Sequence, residues 1–585
     1  MVKVPEGALP APPQSYGRHG MDEVISGLVV RAARPNEAGL LSELTVRSKA
    51  VWGYGDDFLA QVREQLRIRP EEVLVRRVVV AEYEGRAVGV ATLEGEPPEG
   101  EFGLLFVEPE LLRCGVGRVL YEHMLTRAGI LGFTVVNVAA DRHAVPFYRA
   151  MGAERSQVAD AADLVGFQVY PISPEPSWVR AWNGGTRPVM VGNVAEFHGQ
   201  FTGVRAEPDH YSCLAAFCGP EPAKVLLPLP VADWWREHVA ETLGWDELAV
   251  GTPAERGIGP GVRPWGWTSS WVPQHCELLR AVHHFESKRH ANALFHELAG
   301  QCRGIVVPAQ RSLRSARALH KELAEGGRVV LKREYGAGGS GTMIVSRETP
   351  GLYRLLREWS RTGVLVEEYI DGVSTGRDVT FDAVIDAQGW VYPVGVAEMD
   401  VAGTAYMGAT VGPGVVPPDL DRTASRFAMM VGRVLSGWGY RGWFDVDFVV
   451  TAAGALAPME INLRLTGPAV TFHIRNTLDR LHGGRHFVRT LDCLRIGARL
   501  PDPALRAHVG GLVESCRALG VTLLVTIPTA AFDPAPYLGI ALAGRSLEAI
   551  GAAEAEVNRR NSDLWRVVSA RIPQNPTGFS DDVVH

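Results

Sequence analysis

Lysine is nearly missing from this chain: six lysines stand against fifty-three arginines in 585 residues. Basic runs are missing too, and the formal net charge is -7, which argues against a general nucleic-acid binder. The seven cysteines are odd in number and scattered, with no CxxC spacing, and Cys213 and Cys218 are the nearest pair. That pattern excludes a disulfide framework and a zinc ribbon, and reads as reduced thiols in a cytoplasmic enzyme. No apolar run approaches the roughly eighteen residues that a membrane span needs. Residues 1–27 lack an apolar signal core and carry several prolines and glycines, so they read as a flexible leader, with Met21 an alternative start. What is present is ample core material: 46% hydrophobic and 21% charged residues describe a globular chain, long enough for roughly three to four units.

The most informative stretch is GWFDVDFVVTAAGALAPMEINLRLTG, residues 442–467. Two β-like runs joined by a glycine-containing turn let Asp447 and Glu460 project from neighbouring strands toward one point. With the Asn462 amide they form a hard oxygen set of the kind magnesium prefers beside nucleotide phosphates. Arg464 follows, and its planar fork suits a phosphate, a carboxylate or their mixed anhydride. Charges on an ordinary hairpin are the plain alternative. Upstream, 329–332 is a short apolar strand ending in Lys332, followed by the glycine-rich Gly336-Ala337-Gly338-Gly339-Ser340-Gly341. A strand lysine beside such a loop sets one point charge and several backbone N–H groups over phosphate oxygens. The strand 364–372 then runs into Glu367, Glu368, Tyr369 and Ile370, an acidic hinge whose backbone could meet an adenine edge and its carboxylates a ribose.

Lysine strand, glycine flap, VEEYIDG hinge, DVDF and MEINLR, in that order, resemble the ATP-grasp ligase superfamily. The resemblance implies ATP contacts from Lys288, Lys332, the flap Gly338, Gly339, Ser340 and Gly341, and the hinge Glu367, Glu368, Tyr369 and Ile370. It implies magnesium on Asp447, Glu460 and Asn462, and an acyl phosphate steadied by Arg464. A solvated surface lysine is the alternative for Lys288.

Residues 28–172 read as a separate α/β unit: a strand, two helices, an antiparallel meander with Glu84-Gly85-Arg86 as its turn, then a strand passing through glycines into a helix. Free N–H groups at that helix start, with no side chain at Gly115 or Gly117, let a pyrophosphate approach the backbone. This loop, followed by the strand 133–140 and by Phe147-Tyr148-Arg149-Ala150-Met151-Gly152, resembles the GNAT acyltransferase family. The resemblance implies an acetyl-CoA loop at Arg113, Gly115, Val116, Gly117 and Arg118, and Tyr148 as general acid, with Glu101 or Glu108 relaying the amine proton. The family's usual Arg or Gln three residues before the first glycine is Leu112 here, which leaves an active transferase and a structural or acetyl-CoA-sensing domain both open. Tyr148 as a core aromatic is the residue-level alternative.

The expected organisation is α/β and α+β multidomain: leader 1–27, GNAT fold 28–172, linker 173–183, a small α/β pre-grasp domain 184–285, ATP-grasp fold 286–500 and a carboxy-terminal cap 501–585. The tryptophans of the pre-grasp segment, among them Trp234, Trp235, Trp245, Trp265, Trp267 and Trp271, pack domains or shape a pocket. Residues 401–418 read as a loop near the acceptor, and His473 as a structural histidine or a base. The implied reaction is ATP-dependent joining of a small-molecule carboxylate to an amine, with ADP released and an N-acetyl transfer beside it. No nucleic-acid or membrane partner is expected, and a homodimer is left open. A carboxylase or acyl-CoA-forming enzyme is the other class.

Overall fold

The computed structural model describes the chain apart from residues 1–24, 26, 157–163, 172–174, 204–206, 256–260, 314, 316, 318, 321–322, 324–326, 337–340, 360–363, 373–376, 497–498, 529–536 and 570–585. It is a mixed α/β multidomain protein whose chain divides into two compact units, residues 1–174 with 479–485, and residues 175–478 with 486–585.

In the first unit, Val29–Ala32, Val79–Tyr83, Arg86–Ala91 and Leu105–Val107 form one antiparallel sheet. The expected hairpin turn is there: Glu84 and Gly85 both take positive φ, 50° and 75°, the backbone that a tight turn between twisted strands requires. Glu94–Glu96, Glu99–Glu101, Val135–Asp141, Leu164–Val169 and Glu154–Arg155 make a second sheet. Helix Val116–Leu131 buries Val116, Leu120, Tyr121, Met124 and Ala128, a spacing of three to four residues that keeps one stripe toward the core.

Among the described residues the second unit holds three sheets. Val250–Gly251, Lys224–Leu226, Val189–Val191 and Val262–Pro264 lie parallel. Gln310–Ser312, Val364–Glu368, Val329–Arg333 and Thr342–Val345 are antiparallel. The third has eight strands, in the order Leu456–Asn462, Gly442–Val450, Arg377–Ile385, Val391–Ala402, Ala405–Val411, Phe487–Arg495, Tyr537–Gly544, Thr522–Ile527.

Two expectations are corrected by that order. Residues 401–411 are not a loop, though 412–417 are: Val391–Ala402 and Ala405–Val411 pair as a hairpin, its glycine and threonine content reflecting the turn at 403–404 and close packing at Gly408. The carboxy-terminal segment is not a separate cap either. Its strands continue the large sheet, Leu491 pairing with Ile540 and Val525 with Ile540 from the other side. These two strands read LLVTI and LGIALAG, without polar alternation, because helices cover them. Asp502–Ala518 and Asp233–Leu243 both pack on Thr522–Ile527, and Trp235 donates its Nε1–H to Val525 O at 2.8 Å. Trp234 and Trp245 join the same core, and Trp271 packs on the parallel sheet. Packing therefore accounts for most of the tryptophan cluster.

Candidate active sites

In the second unit the hairpin Gly442–Val450/Leu456–Asn462 sets Asp447 opposite Glu460 and Asp445 opposite Asn462. Asn462 Nδ2 donates to Asp445 Oδ1 at 2.7 Å and Asp447 Oδ2 at 3.1 Å. Lys288 opens the helix Lys288–Ala299, is 4% exposed, and its Nζ lies 2.5 Å from Glu460 Oε2 and 3.3 Å from Gly336 O. It is a buried site residue, not a surface lysine. Lys332, 5% exposed, stands one residue before the end of the strand Val329–Arg333 with Nζ 2.5 Å from Glu367 Oε1. Arg464 is gripped by a carboxylate that sequence reasoning missed. Its Nη1 meets both Glu286 oxygens at 2.9 Å, while Leu463 N donates to Glu286 Oε1 at 2.6 Å.

These side chains converge on one cavity of about 1090 Å³. Lys288, Lys332, Glu367, Glu368, Tyr369 and Ile370 line it, as do Asp447, Glu460, Asn462 and Arg464. Glu367 is buried and held by Lys332 and by Gln310 at 2.8 Å, whereas Glu368 is exposed at the cavity wall, its Oε2 accepting from Ala309 N at 3.1 Å. Tyr369 and Ile370, beyond the last paired strand residue, face the cavity. Gly338, Gly339 and Ser340 of the flap lie outside the described residues; Gly341, with φ of 77°, returns the chain into its strand.

Charge inside this cavity is arranged in opposition. Burial pushes the Asp447 carboxyl well above the usual carboxylate range, and Asp445 and Glu460 push it further. Asp445 is raised in the same way, by burial and then by Asp382. Burial also works against a charge on Glu460, yet Lys288, Lys332 and Arg464 hold it down at about 2. Buried acids that repel one another are what a hard cation relieves, so the donor set of Asp447, Glu460 and Asn462 fits magnesium. Among the described residues no three His, Cys, Asp or Glu side chains gather as a ready metal cluster, so waters and phosphates would have to complete the shell. His473 is structural: it packs edge-on against Trp178 at 5.0 Å and beside Trp443 at 5.1 Å, with burial holding it neutral at about 3.

In the first unit, Glu99–Glu101 runs parallel to Val135–Asp141, with Glu101 opposite Asn137. Beyond that point Leu105–Val107 pairs with Arg86–Ala91, and Val138 to Asp141 pair with Leu164–Val169. Val135–Asp141 thus lies in a different sheet from Leu105–Val107. On the chain beyond Leu105–Val107, Arg113 and Gly115 take positive φ, 66° and 89°. They bring the chain into helix Val116–Leu131, whose first helical bond runs from Val119 N to Gly115 O at 3.1 Å. The amides of Val116, Gly117 and Arg118 thus precede the helical ladder, as an anion-binding turn requires. A Cβ added at Gly117 would sit in ordinary contact with Phe147 at 3.6 Å and Val107 at 3.8 Å.

Tyr148 is 6% exposed, stacked on Phe167 and edge-on to Phe147 and Tyr121, and burial raises its hydroxyl. Glu108 is engaged by Arg47 Nη2 at 2.5 Å; Glu101 is raised by burial and by Glu94. A further carboxylate, Asp141, is held by Lys49 Nζ at 2.7 Å and the Tyr54 hydroxyl at 2.6 Å.

Residues 42–153 match the family model "Acetyltransferase (GNAT) family". A relative, L-propargylglycine–L-glutamate ligase of Streptantibioticus cattleyicolor, is 33% identical over 132 residues, 22% of this chain and 25% of the ligase. The alignment thus spans a quarter of that relative's length. N5-carboxyaminoimidazole synthase from Aspergillus clavatus, solved with ADP and 5-aminoimidazole ribonucleotide, is 14% identical over 59% of this chain and 92% of its own, with a TM-score of 0.40. An N-acetyltransferase from Thermoplasma acidophilum, solved with coenzyme A, is 14% identical over 24% of this chain and 97% of its own, with a TM-score of 0.22.

Proposed function

We propose, from a chain that joins a GNAT domain to an ATP-grasp ligase fold, an ADP-forming carboxylate–amine ligase that makes an amide or peptide bond through an acyl phosphate. The observation that carries this is the convergence of Lys288, Lys332 and Arg464 with Asp447, Glu460 and Asn462 on one cavity. Asp447, Glu460 and Asn462 would hold magnesium, which supplies neutralising charge to phosphate oxygens. Lys332 and Lys288 bind the phosphates as point charges. Glu367 and Glu460 hold the two ammonium groups in place, with Nζ to Oε contacts of 2.5 Å each. Arg464, oriented by Glu286, receives the acyl phosphate until an amine displaces phosphate from it. The printed name of the Streptantibioticus relative, joining two amino acids, supports amino-acid substrates.

The amino-terminal domain would transfer an acetyl group from acetyl-CoA to the amine of a substrate or product. Burial of Tyr148 in a ring cluster equally favours a structural or acetyl-CoA-sensing domain. Both are tested together by incubating the protein with ATP, magnesium, acetyl-CoA and pooled amino acids, and analysing nucleotides and products by chromatography and mass spectrometry. ADP with a condensed product is the expected result, and AMP formation would sink the acyl-phosphate route. An acetylated amine marks an active transferase; ligation altered by acetyl-CoA without any acetylated product marks a sensor.

A further inference from the structure

One end of the cavity is left unexplained by nucleotide and magnesium. It is walled by Tyr211, Trp265, Tyr406 and Tyr537, and its one buried carboxylate is Asp492. Asp492 lies in the strand Phe487–Arg495, whose even-numbered positions Val488, Thr490 and Leu494 face the core. A carboxylate at an inward position of such a strand opposes the burial pattern. Its register is also interrupted: Leu491 pairs with Ile540 and Leu494 with Leu538, so Asp492 and Cys493 together oppose Gly539. This is a β-bulge, the device that re-aims a side chain at a site. Asp492 is 5% exposed, and its Oδ2, like the Tyr406 hydroxyl, has no hydrogen-bond partner among the described residues. A buried acceptor left without a donor is costly, so its presence at a cavity wall points to a donor arriving with a ligand.

The surrounding chemistry says which donor. Tyr211 and Trp265 meet edge-on at 5.9 Å and present aromatic surface to the same space. Arg464 acts electrostatically both on the Asp447–Glu460 acids and on Tyr211, so it is within electrostatic reach of both groups. Cations therefore line the phosphate end, while beside Tyr211, whose hydroxyl reaches the Asp492 carboxyl, the Asp492 Oδ2 remains without a donor among the described residues, in aromatic surroundings. Such surroundings suit a small cation, because ring faces and a carboxylate attract the same charge.

We infer that Asp492, with Tyr211 and Tyr406, is the docking subsite for the ammonium group of an amino-acid substrate. This rests on the ligase reading above. A substrate acid lacking the amino group would leave Asp492 Oδ2 unpaired and bind correspondingly less well.

The test is calorimetry on the full-length protein with magnesium and the non-hydrolysable nucleotide AMP-PNP. Each of the twenty common L-amino acids is titrated, then the matching acid without its amino group, then the matching amide without its acid. At least one amino acid is expected to bind, with its deaminated counterpart at least ten-fold weaker. In Asp492→Asn that discrimination disappears while AMP-PNP affinity, which reports an intact nucleotide end, stays within two-fold. Tyr406→Phe, which removes only a hydroxyl, is expected to weaken amino-acid binding by a smaller factor, and covers the case in which Asp492→Asn fails to fold. Asp492-dependent binding of the amide assigns the ammonium to the amine-donating substrate; binding confined to the free amino acid assigns it to the acid donor, and both uphold the subsite. Equal affinity with and without the amino group, discrimination that survives in Asp492→Asn, or no amino acid bound beside a bound nucleotide overturns it. Failure of wild-type protein to bind AMP-PNP would instead overturn the ligase reading itself.

Discussion

On the function proposed above, the two units would hold a phosphate-bearing molecule with opposite materials. In the carboxy-terminal unit the work falls on buried side-chain charge: Lys288, Lys332 and Arg464 are each at most 6% exposed and each is held by a carboxylate. In the amino-terminal unit the candidate anion site is backbone, the turn through Arg113 and Gly115 and the first amides of a helix. Side-chain charge in a low-dielectric cavity is strong but costly to leave unpaired, whereas backbone amides carry no desolvated net charge. The first kind of site should therefore be brittle to single substitutions, and the second tolerant of them.

The sharpest way to break this comparison is Asp447→Asn, which removes a carboxylate from the cation site and keeps its shape. Amide-forming turnover is expected to fall about a thousand-fold, the scale for losing one preorganised electrostatic partner. A loss under ten-fold, measured by ADP release, would mean the acids are architectural. Next comes Glu286→Gln, which strips the buried Arg464 of its counter-charge. Breaking a buried pair from one side costs about 3–5 kcal/mol, read as a lowered melting temperature of the ligase unit in the full chain. Tyr148→Phe addresses the other unit. An acetyl transfer that relies on this phenol is expected to slow by about a hundred-fold; an unchanged rate with unchanged coenzyme A binding assigns the ring to packing.

The smallest effect is a pH one. Burial raises the Asp141 carboxyl, but Lys49, Tyr54 and the His143 amide outweigh it and leave it below its ordinary value. A depressed acid adds stability above the unfolded carboxylate pKa, and loses it as pH falls through the lower folded one. The melting temperature of the amino-terminal unit should therefore drop more steeply below about pH 4 in the native protein than in Asp141→Asn, whose amide does not titrate.

How much of this was legible depended on distance along the chain. Asp447, Glu460 and Asn462 lie within one hairpin, where strand pairing brings them together, and Arg464 follows two residues beyond its end. Asp445 was legible as well, since residues two apart in a strand share a face, and its role as a third acid was missed. Glu286 was not: it meets Arg464 across 178 residues, and no local pattern marks a pairing of that range. Asp492 had a faint signal, a carboxylate in the inward phase of FVRTLDCLR, but the bulge that aims it depends on a partner strand some fifty residues later. The segment after 501 looked independent for the same reason. Its strands are apolar on both faces only because helices from both sides of the chain cover them, and covering of that kind has no sequence period.

That late sheet completion has a consequence for how the protein is made. A ribosome exposes Lys288, Lys332, Asp447, Glu460 and Arg464 well before the strand Tyr537–Gly544, so the phosphate end of the cavity can assemble while the aromatic end still lacks Tyr537 and the neighbour that sets the bulge at Asp492. On the proposed reading, a chain interrupted between those points would hold the nucleotide end without the wall assigned above to the substrate, and finished synthesis would be a condition for substrate choice.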